Sequence, residues 1–266
     1  MELSVVLPGI NVSEWPKFYH SLDRACSREF EVIIVGPYEP CDEISKLTNV
    51  TYIKSLASPV KCMQLGAIKA TGEYLSLSCE GEYMKGSVDK VFGMLEAHRS
   101  PKTIVGCKYI EGVKNSKGKH KKGAIRALSS KAYYVVNDHP LNRSSFIPDH
   151  WLLIHMHFMR TEFFREVGGL DCRFEAQAVA MTDLANRMQR SGATVHLTDF
   201  FLMDLDHTPG VPSDRQKGHG PIYFAQVEND HPLYRSIYDD SSCVNRVNIP
   251  YDNWKDAPDV WARRDF

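Results

Sequence analysis

The chain has no stretch approaching the ~20 consecutive apolar residues of a membrane-spanning helix, no Cys-x-x-Cys pair and no excess of one charge. The first absence leads to the expectation of no membrane span. Lysine and arginine (32) balance aspartate and glutamate (33), for a net charge of −1, so no global field marks a nucleic-acid or membrane partner. The seven cysteines are scattered and odd in number, which argues against both a disulfide framework and a structural zinc site and suits a reducing compartment. The N-terminus, Met1 to Pro8, is apolar only from Leu3 to Leu7 and lacks the basic start and longer apolar run of a secretory leader. A soluble, cytoplasmic protein, at most peripheral to a membrane, is expected. There is no internal repeat.

What is present suits one large α/β domain with an extension: 43% hydrophobic and 24% charged residues over 266 positions. Short β-prone runs alternate with amphipathic segments through the first hundred residues. Leu3–Leu7 stops at Pro8-Gly9, and Ser13-Glu-Trp-Pro16 has the form of a helix start. Further strands are expected at Phe30–Val35, Val50–Ile53, Tyr74–Ser78 and Thr103–Tyr109, and helices at Val60–Ala70 and Ser87–His98. Strands separated by helices imply crossover connections and a mostly parallel sheet covered on both faces. Residues 111–122 read as a charged surface loop. Order resumes with a strand over Trp151–Phe158, helices at Thr161–Val167 and Asp183–Arg190, and a strand near Thr194–Leu197. The last fifty residues, rich in Pro, Asp, Asn and aromatics, read as a wrapping extension. The expected division is a catalytic domain over 1–200, with a nucleotide-sugar half at 1–110 and an acceptor half at 145–200, followed by an extension over 201–266.

Four blocks in order carry a likeness to a known family. They are Leu3-Ser-Val-Val-Leu-Pro-Gly-Ile-Asn11, Glu31-Val-Ile-Ile-Val35, Gln64-Leu-Gly-Ala-Ile-Lys-Ala-Thr-Gly-Glu-Tyr74, and Phe163-Phe-Arg-Glu-Val-Gly-Gly-Leu-Asp171 with Asp183-Leu-Ala-Asn-Arg187 and Ser191-Gly192. Together they resemble glycosyltransferase family 2. The resemblance implies a GT-A (Rossmann-like) fold and transfer of a sugar from a nucleotide-diphosphate donor to a hydroxyl on a glycan or lipid-linked acceptor, with inversion.

That chemistry needs a concave nucleotide site, positive charge on the departing diphosphate and a carboxylate to deprotonate the acceptor. Sheets of this kind place ligands at the carboxyl ends of their strands. Pro8, Gly9 and Asn11 after the first strand, Tyr38 and Glu39 after the second, and Lys61 at the following helix are therefore the expected nucleotide-sugar contacts. The family's Asp-x-Asp metal motif falls on Cys79 and Gly81, neither a credible ligand for Mn2+ or Mg2+, which favour hard oxygens. Glu80 and Glu82 offer a displaced Glu-x-Glu, and the resemblance adds His207, within Met203-Asp-Leu-Asp-His-Thr-Pro-Gly210, as a third ligand. Glu80 is also placed among the donor contacts. The usual base position of the family falls on Ala180-Met181, so Asp183 is the expected base, with capping of a helix as its alternative role and Asp149 and Asp171 as fallbacks.

Other features have plainer readings. His155 and His157 share one strand face, a spacing that suits a metal pair, but in this context an acceptor-cleft wall or a satisfied polar face is the favoured reading. Lys114, Lys117, Lys119, Lys121, Lys122 and Arg126 form a charge run of the sort usually solvated, or one able to meet a diphosphate. A rival reading is a non-catalytic nucleotide-sugar or glycan-binding module on the same fold. A nucleotidyltransferase would need a Gly-rich loop with a basic phosphate ligand after the first strand, and Pro8-Gly-Ile-Asn-Val-Ser13 lacks one.

Overall fold

The structure, a computed structural model, describes residues 1–111, 125–127, 157–205, 220–238 and 246–263. The chain opens with β1 (Leu3–Pro8), a single 3-10 turn (Val12–Glu14), α1 (Trp15–Ala25), β2 (Phe30–Gly36), α2 (Asp42–Ser45), β3 (Val50–Lys54), α3 (Pro59–Lys69) and β4 (Tyr74–Leu77). It continues with β5 (Glu82–Gly86), α4 (Val88–Ala97), β6 (Thr103–Glu111), β7 (Ile125–Ala127), β8 (His157–Arg160), α5 (Thr161–Glu166), α6 (Gln177–Arg190) and β9 (Thr194–Leu205). The extension contributes α7 (Gly220–Ala225), a π-helical turn (Gln226–Asp230) and α8 (His231–Tyr238).

Among the described residues, nine strands form one sheet in the order β3-β2-β1-β4-β8-β6-β9-β5, with β7 beside β6. The first four are parallel, as crossover helices require, and β6 pairs in parallel with β9. β8, β7 and β5 join antiparallel. β1 is buried on both faces because its alternate side chains serve two cores. Leu3, Val5 and Leu7 pack with α1 and α4, while Val6 packs with α3, α5, α6 and α8.

Several boundaries differ from expectation for identifiable reasons. Ser13 lies inside the 3-10 turn and donates to Asn11 Oδ1 at 2.8 Å instead of capping α1. β5 was not expected, since Glu-Tyr-Met-Lys-Gly carries no apolar alternation and forms by pairing with the distant β9. β9 runs to Leu205, so Asp204 belongs to a strand and the boundary at residue 200 falls within it. α6 begins at Gln177, six residues before Asp183, and its N-cap Ala176 offers no side-chain acceptor. Of the expected strand over Trp151–Phe158, the described part begins at His157, which is buried. His155, Asp149, Asp206, His207 and the lysines from Lys114 to Lys122 lie outside the described residues.

The last described segment, 246–263, runs as a strap over α3 and the turn after α5. Ile249 N–H donates to the Val167 carbonyl (3.4 Å), Gln64 Nε2 to the Tyr251 carbonyl (3.0 Å), and Trp261 N–H to the Leu56 carbonyl (3.0 Å). Among the described residues, no helix is long and apolar enough to cross a membrane.

Candidate functional site

β1 and β4 are neighbours, but the chain leaves β1 toward β2 on one side and returns to β4 on the other. This is a topological switch point, where open α/β sheets leave a crevice at the carboxyl ends of their strands. Two turns flank it, Pro8–Asn11 after β1 and Ser78–Gly81 after β4. They are joined across the crevice by one side chain. Glu80 Oε2 accepts the backbone N–H of Ile10 and of Asn11, both at 2.6 Å.

The floor of the crevice is backbone packed on backbone. Gly9 N–H donates to the Val35 carbonyl at 3.0 Å, and a Cβ at Gly36 would land on the Gly9 carbonyl oxygen. A Cβ at Gly9 would lie 2.6 Å from Trp15 Nε1. Trp15 is fully buried beneath this turn, and its indole N–H meets no hydrogen-bond acceptor. Tyr52 braces the second turn by donating to the Gly36 carbonyl at 3.0 Å. Tyr38 stands 44% exposed at the rim, and Glu39 pairs with Lys54 at 3.2 Å.

Pro8, Gly9, Asn11, Tyr38, Glu39 and Glu80 are thus brought to one edge of the sheet. Lys61 starts from the same edge, in the first turn of α3, but its buried ammonium turns to the strap. There it donates to the Ala257 carbonyl (2.5 Å) and Asp259 Oδ1 (2.8 Å). Contact between this ammonium and a nucleotide, as expected from the sequence, would require the strap to leave.

The acceptor-side acids are placed differently from expectation. Asp183 is 0% exposed in the middle of α6 and neither caps a helix nor faces a cleft. Its Oδ2 accepts from Arg187 Nε (2.8 Å), and its Oδ1 accepts from Tyr238 (2.7 Å) and Arg246. Arg187, also fully buried, spends its other nitrogens on the Val167 (2.6 Å) and Gly169 (2.5 Å) carbonyls. The pair therefore clasps the turn that ends α5. A base must reach the acceptor hydroxyl within hydrogen-bond distance, and a carboxylate walled in by two guanidiniums and a phenol does not. The expected role of Asp183 as base is corrected to that of a core ion pair.

Asp171 is likewise spent, on Arg173 (2.7 Å) and Arg246. Burial pushes its carboxyl up, but the hydrogen bond from Arg173 and the charges of Arg246 and Arg173 outweigh it and hold the group below its usual range. Burial and the Asp183 charge push the Tyr238 phenol far up, so it stays a donor. Sequence reasoning missed Arg246 and Tyr238, which lie more than fifty residues from Asp183 with no local signal pointing back to it.

The described donors do not fit a divalent cation. Glu80 Oε2 already accepts two amides, Cys79 is a soft ligand, and among the described residues no group of three or more His, Cys, Asp or Glu side chains converges. Glu82 enters β5 opposite Leu205; its side chain and His207 lie outside the described residues.

One buried acid in the extension reaches the head of α6. Asp230 accepts the N–H of Glu175 (2.9 Å) and Ala176 (2.7 Å), supplying from a distance the cap that the local sequence lacks. Burial, opposed by these bonds and by that from Asn229, pushes its carboxyl up to about 6. The folded state therefore holds this proton more tightly than the unfolded chain does. The associated stability is present below about pH 4 and is lost as pH rises through about 6. The melting temperature of Asp230→Asn, which cannot ionise, is expected to rise relative to that of the unaltered protein as the pH goes from 4 to 7. Thermal melts of both proteins across that range read the difference.

No family model and no curated protein matches the sequence. Solved structures do match in shape. S. aureus TarS 1-349 in complex with UDP-GlcNAc is 14% identical, with a TM-score of 0.51, covering 92% of this chain and 72% of that one. The same TarS fragment in complex with UDP is 15% identical, with a TM-score of 0.50 and coverage of 92% and 71%. At such identities the likeness speaks for the fold, which is of the GT-A type.

Proposed function

We propose that the chain is a glycosyltransferase of the family 2 kind, which binds a nucleotide-diphosphate sugar in the crevice between the carboxyl ends of β1 and β4. One observation carries this reading: two turns meet at a switch point of a GT-A sheet, tied together by Glu80 and floored by glycine backbone that lets a ligand approach closely. The complexes of TarS with UDP and UDP-GlcNAc support a donor of that class. Tyr38 at the rim supplies an aromatic face for a base, and the Pro8–Asn11 turn supplies the backbone contacts. The acceptor is a hydroxyl of a glycan or lipid-linked sugar, and transfer is inverting. Of the three acids named from the sequence as base candidates, Asp183 and Asp171 are locked in ion pairs, which leaves Asp149 to take the acceptor proton. A requirement for Mn2+ or Mg2+ rests on Glu82 and His207.

A second reading, binding without transfer, is favoured by Ala180-Met181 at the usual base position and by Cys79 and Gly81 at the usual metal positions. Nucleotide sugars screened by melting temperature and by donor hydrolysis, with Mn2+ or with chelator, separate the two. One nucleoside diphosphate at a hundredfold excess over its Kd is expected to stabilise the fold by about 2.7 kcal/mol. Slow hydrolysis of the matching donor supports transfer, and binding with no hydrolysis supports the second reading. The absence of stabilisation by UDP, GDP, CDP and ADP would overturn both.

A further inference from the structure

Glu80 occupies the middle of the acidic turn, where a metal-binding role is the first expectation. Its geometry points elsewhere. Two consecutive backbone N–H groups converge on a single carboxylate oxygen, the arrangement of an anion-holding nest. Both bonds are 2.6 Å, short even for N–H donors on an ionised acceptor. The carboxylate comes from the end of β4 and the amides from the turn after β1, so the contact spans the crevice at the point where β1 and β4 part.

Among the described residues, little else fixes this turn from above. Gly9 has no side chain, and from below its backbone rests against Gly36 and the Trp15 ring. Asn11 is exposed, and apart from its bond to Glu80 it bonds locally, its carbonyl accepting from the Glu14 N–H (2.9 Å) and its Oδ1 from the Ser13 hydroxyl (2.8 Å). Without the carboxylate, the Ile10 and Asn11 N–H groups would turn to water, and the turn would sample other shapes before any ligand arrived. Binding would then carry the cost of ordering it.

We propose that Glu80 is a positioning residue for the nucleoside diphosphate: it pre-forms the Gly9–Asn11 turn through Oε2 and does not coordinate a cation. This rests on the donor-site reading above. It adds that Glu80, of the two acids in the displaced motif, holds a loop and not a metal.

The test is titration of Glu80→Ala and Glu80→Gln with the nucleoside diphosphate that the unaltered protein binds most tightly, each with Mn2+ and with chelator. Glu80→Ala is expected to weaken binding by about tenfold or more, the loss of roughly one charge-assisted hydrogen bond. Glu80→Gln keeps an oxygen able to accept both amides and is expected to recover most of that loss. The ratio of affinities with and without Mn2+ is expected to stay the same in all three proteins. In a turnover assay the donor KM rises more than kcat falls. If Glu80→Ala does not fold, the Gln variant and its Mn2+ ratio still decide. A Gln variant as weak as Ala, with the Mn2+ increment lost, makes Glu80 a metal ligand and overturns the proposal. An Ala variant that binds like the unaltered protein overturns it too, while leaving the donor site standing. Failure of the unaltered protein to bind any of UDP, GDP, CDP and ADP instead overturns the donor-site reading on which the proposal rests.

Discussion

Asp183→Ala is expected to destabilise the protein by about 3–5 kcal/mol, the usual consequence of removing one partner from a buried ion pair. The carboxylate is the shared acceptor for Arg187, which is 0% exposed, and Arg246, which is nearly buried. Truncation leaves the buried Arg187 guanidinium without a counter-charge, while Arg246 keeps only Asp171. It also releases Arg187 from the geometry that lets it bind the Val167 and Gly169 carbonyls. The effect therefore extends to the end of α5 and to the strap that packs there. Urea unfolding monitored by circular dichroism reads it as a lower midpoint. Asp183→Asn keeps the shape but not the charge and is expected to fall between the two. A residue acting as the base would behave in the opposite way, with turnover lost and the midpoint kept. An Asp183→Ala protein as stable as the unaltered one contradicts the burial described above.

Gly168→Ala carries the second large effect, through the backbone. Gly168 follows α5 with a φ of 85°, the left-handed conformation that commonly ends helices and that costs a residue with a Cβ about 1–2 kcal/mol. The added methyl would also land on the Ile249 carbonyl oxygen of the strap, which cannot yield as a flexible side chain would. Overpacking of this kind typically costs about 1–3 kcal/mol more. A combined loss of about 3 kcal/mol corresponds to a melting temperature lower by roughly 6–12 °C for a chain of this size. Trypsin is expected to cut faster at Lys255 and Arg263 as the strap loosens. A variant that melts and is digested like the unaltered protein would show that the strap does not depend on this turn.

The parts of the fold that were legible in the sequence are those whose signal is local. β1 and β2 are apolar runs interrupted by one polar residue each, Ser4 and Glu31, because both faces are covered, and α3 carries its own Ser58 cap and Pro59. Gly168-Gly169 marked the end of α5 for the backbone reason just given. What was not legible depends on partners far along the chain. The head of α6 is capped by Asp230, more than fifty residues away, so a search for a local capping residue placed the start at Thr182-Asp183. Asp183 was recognisable by its spacing to Arg187, but its enclosure is completed by Tyr238 and Arg246. Lys61 was expected at the nucleotide, but Asp259 and the Ala257 carbonyl, nearly two hundred residues along the chain, hold its ammonium. At the candidate site, the turns after β1, β2 and β4 could be named in advance from strand order alone. The bond from Glu80 to Ile10 and Asn11 could not, because no spacing rule links a side chain to the amides of another strand's turn.

The proposed nucleotide site is the crevice between the carboxyl ends of β1 and β4. Amide hydrogen exchange followed by mass spectrometry, with and without saturating nucleoside diphosphate, tests it most directly. Exchange is expected to slow in the peptides that carry Gly9–Asn11, Gly36–Glu39 and Ser78–Gly81, with α6 unaffected. Slowing confined to other parts of the chain, or none with any of the four nucleoside diphosphates, would contradict it.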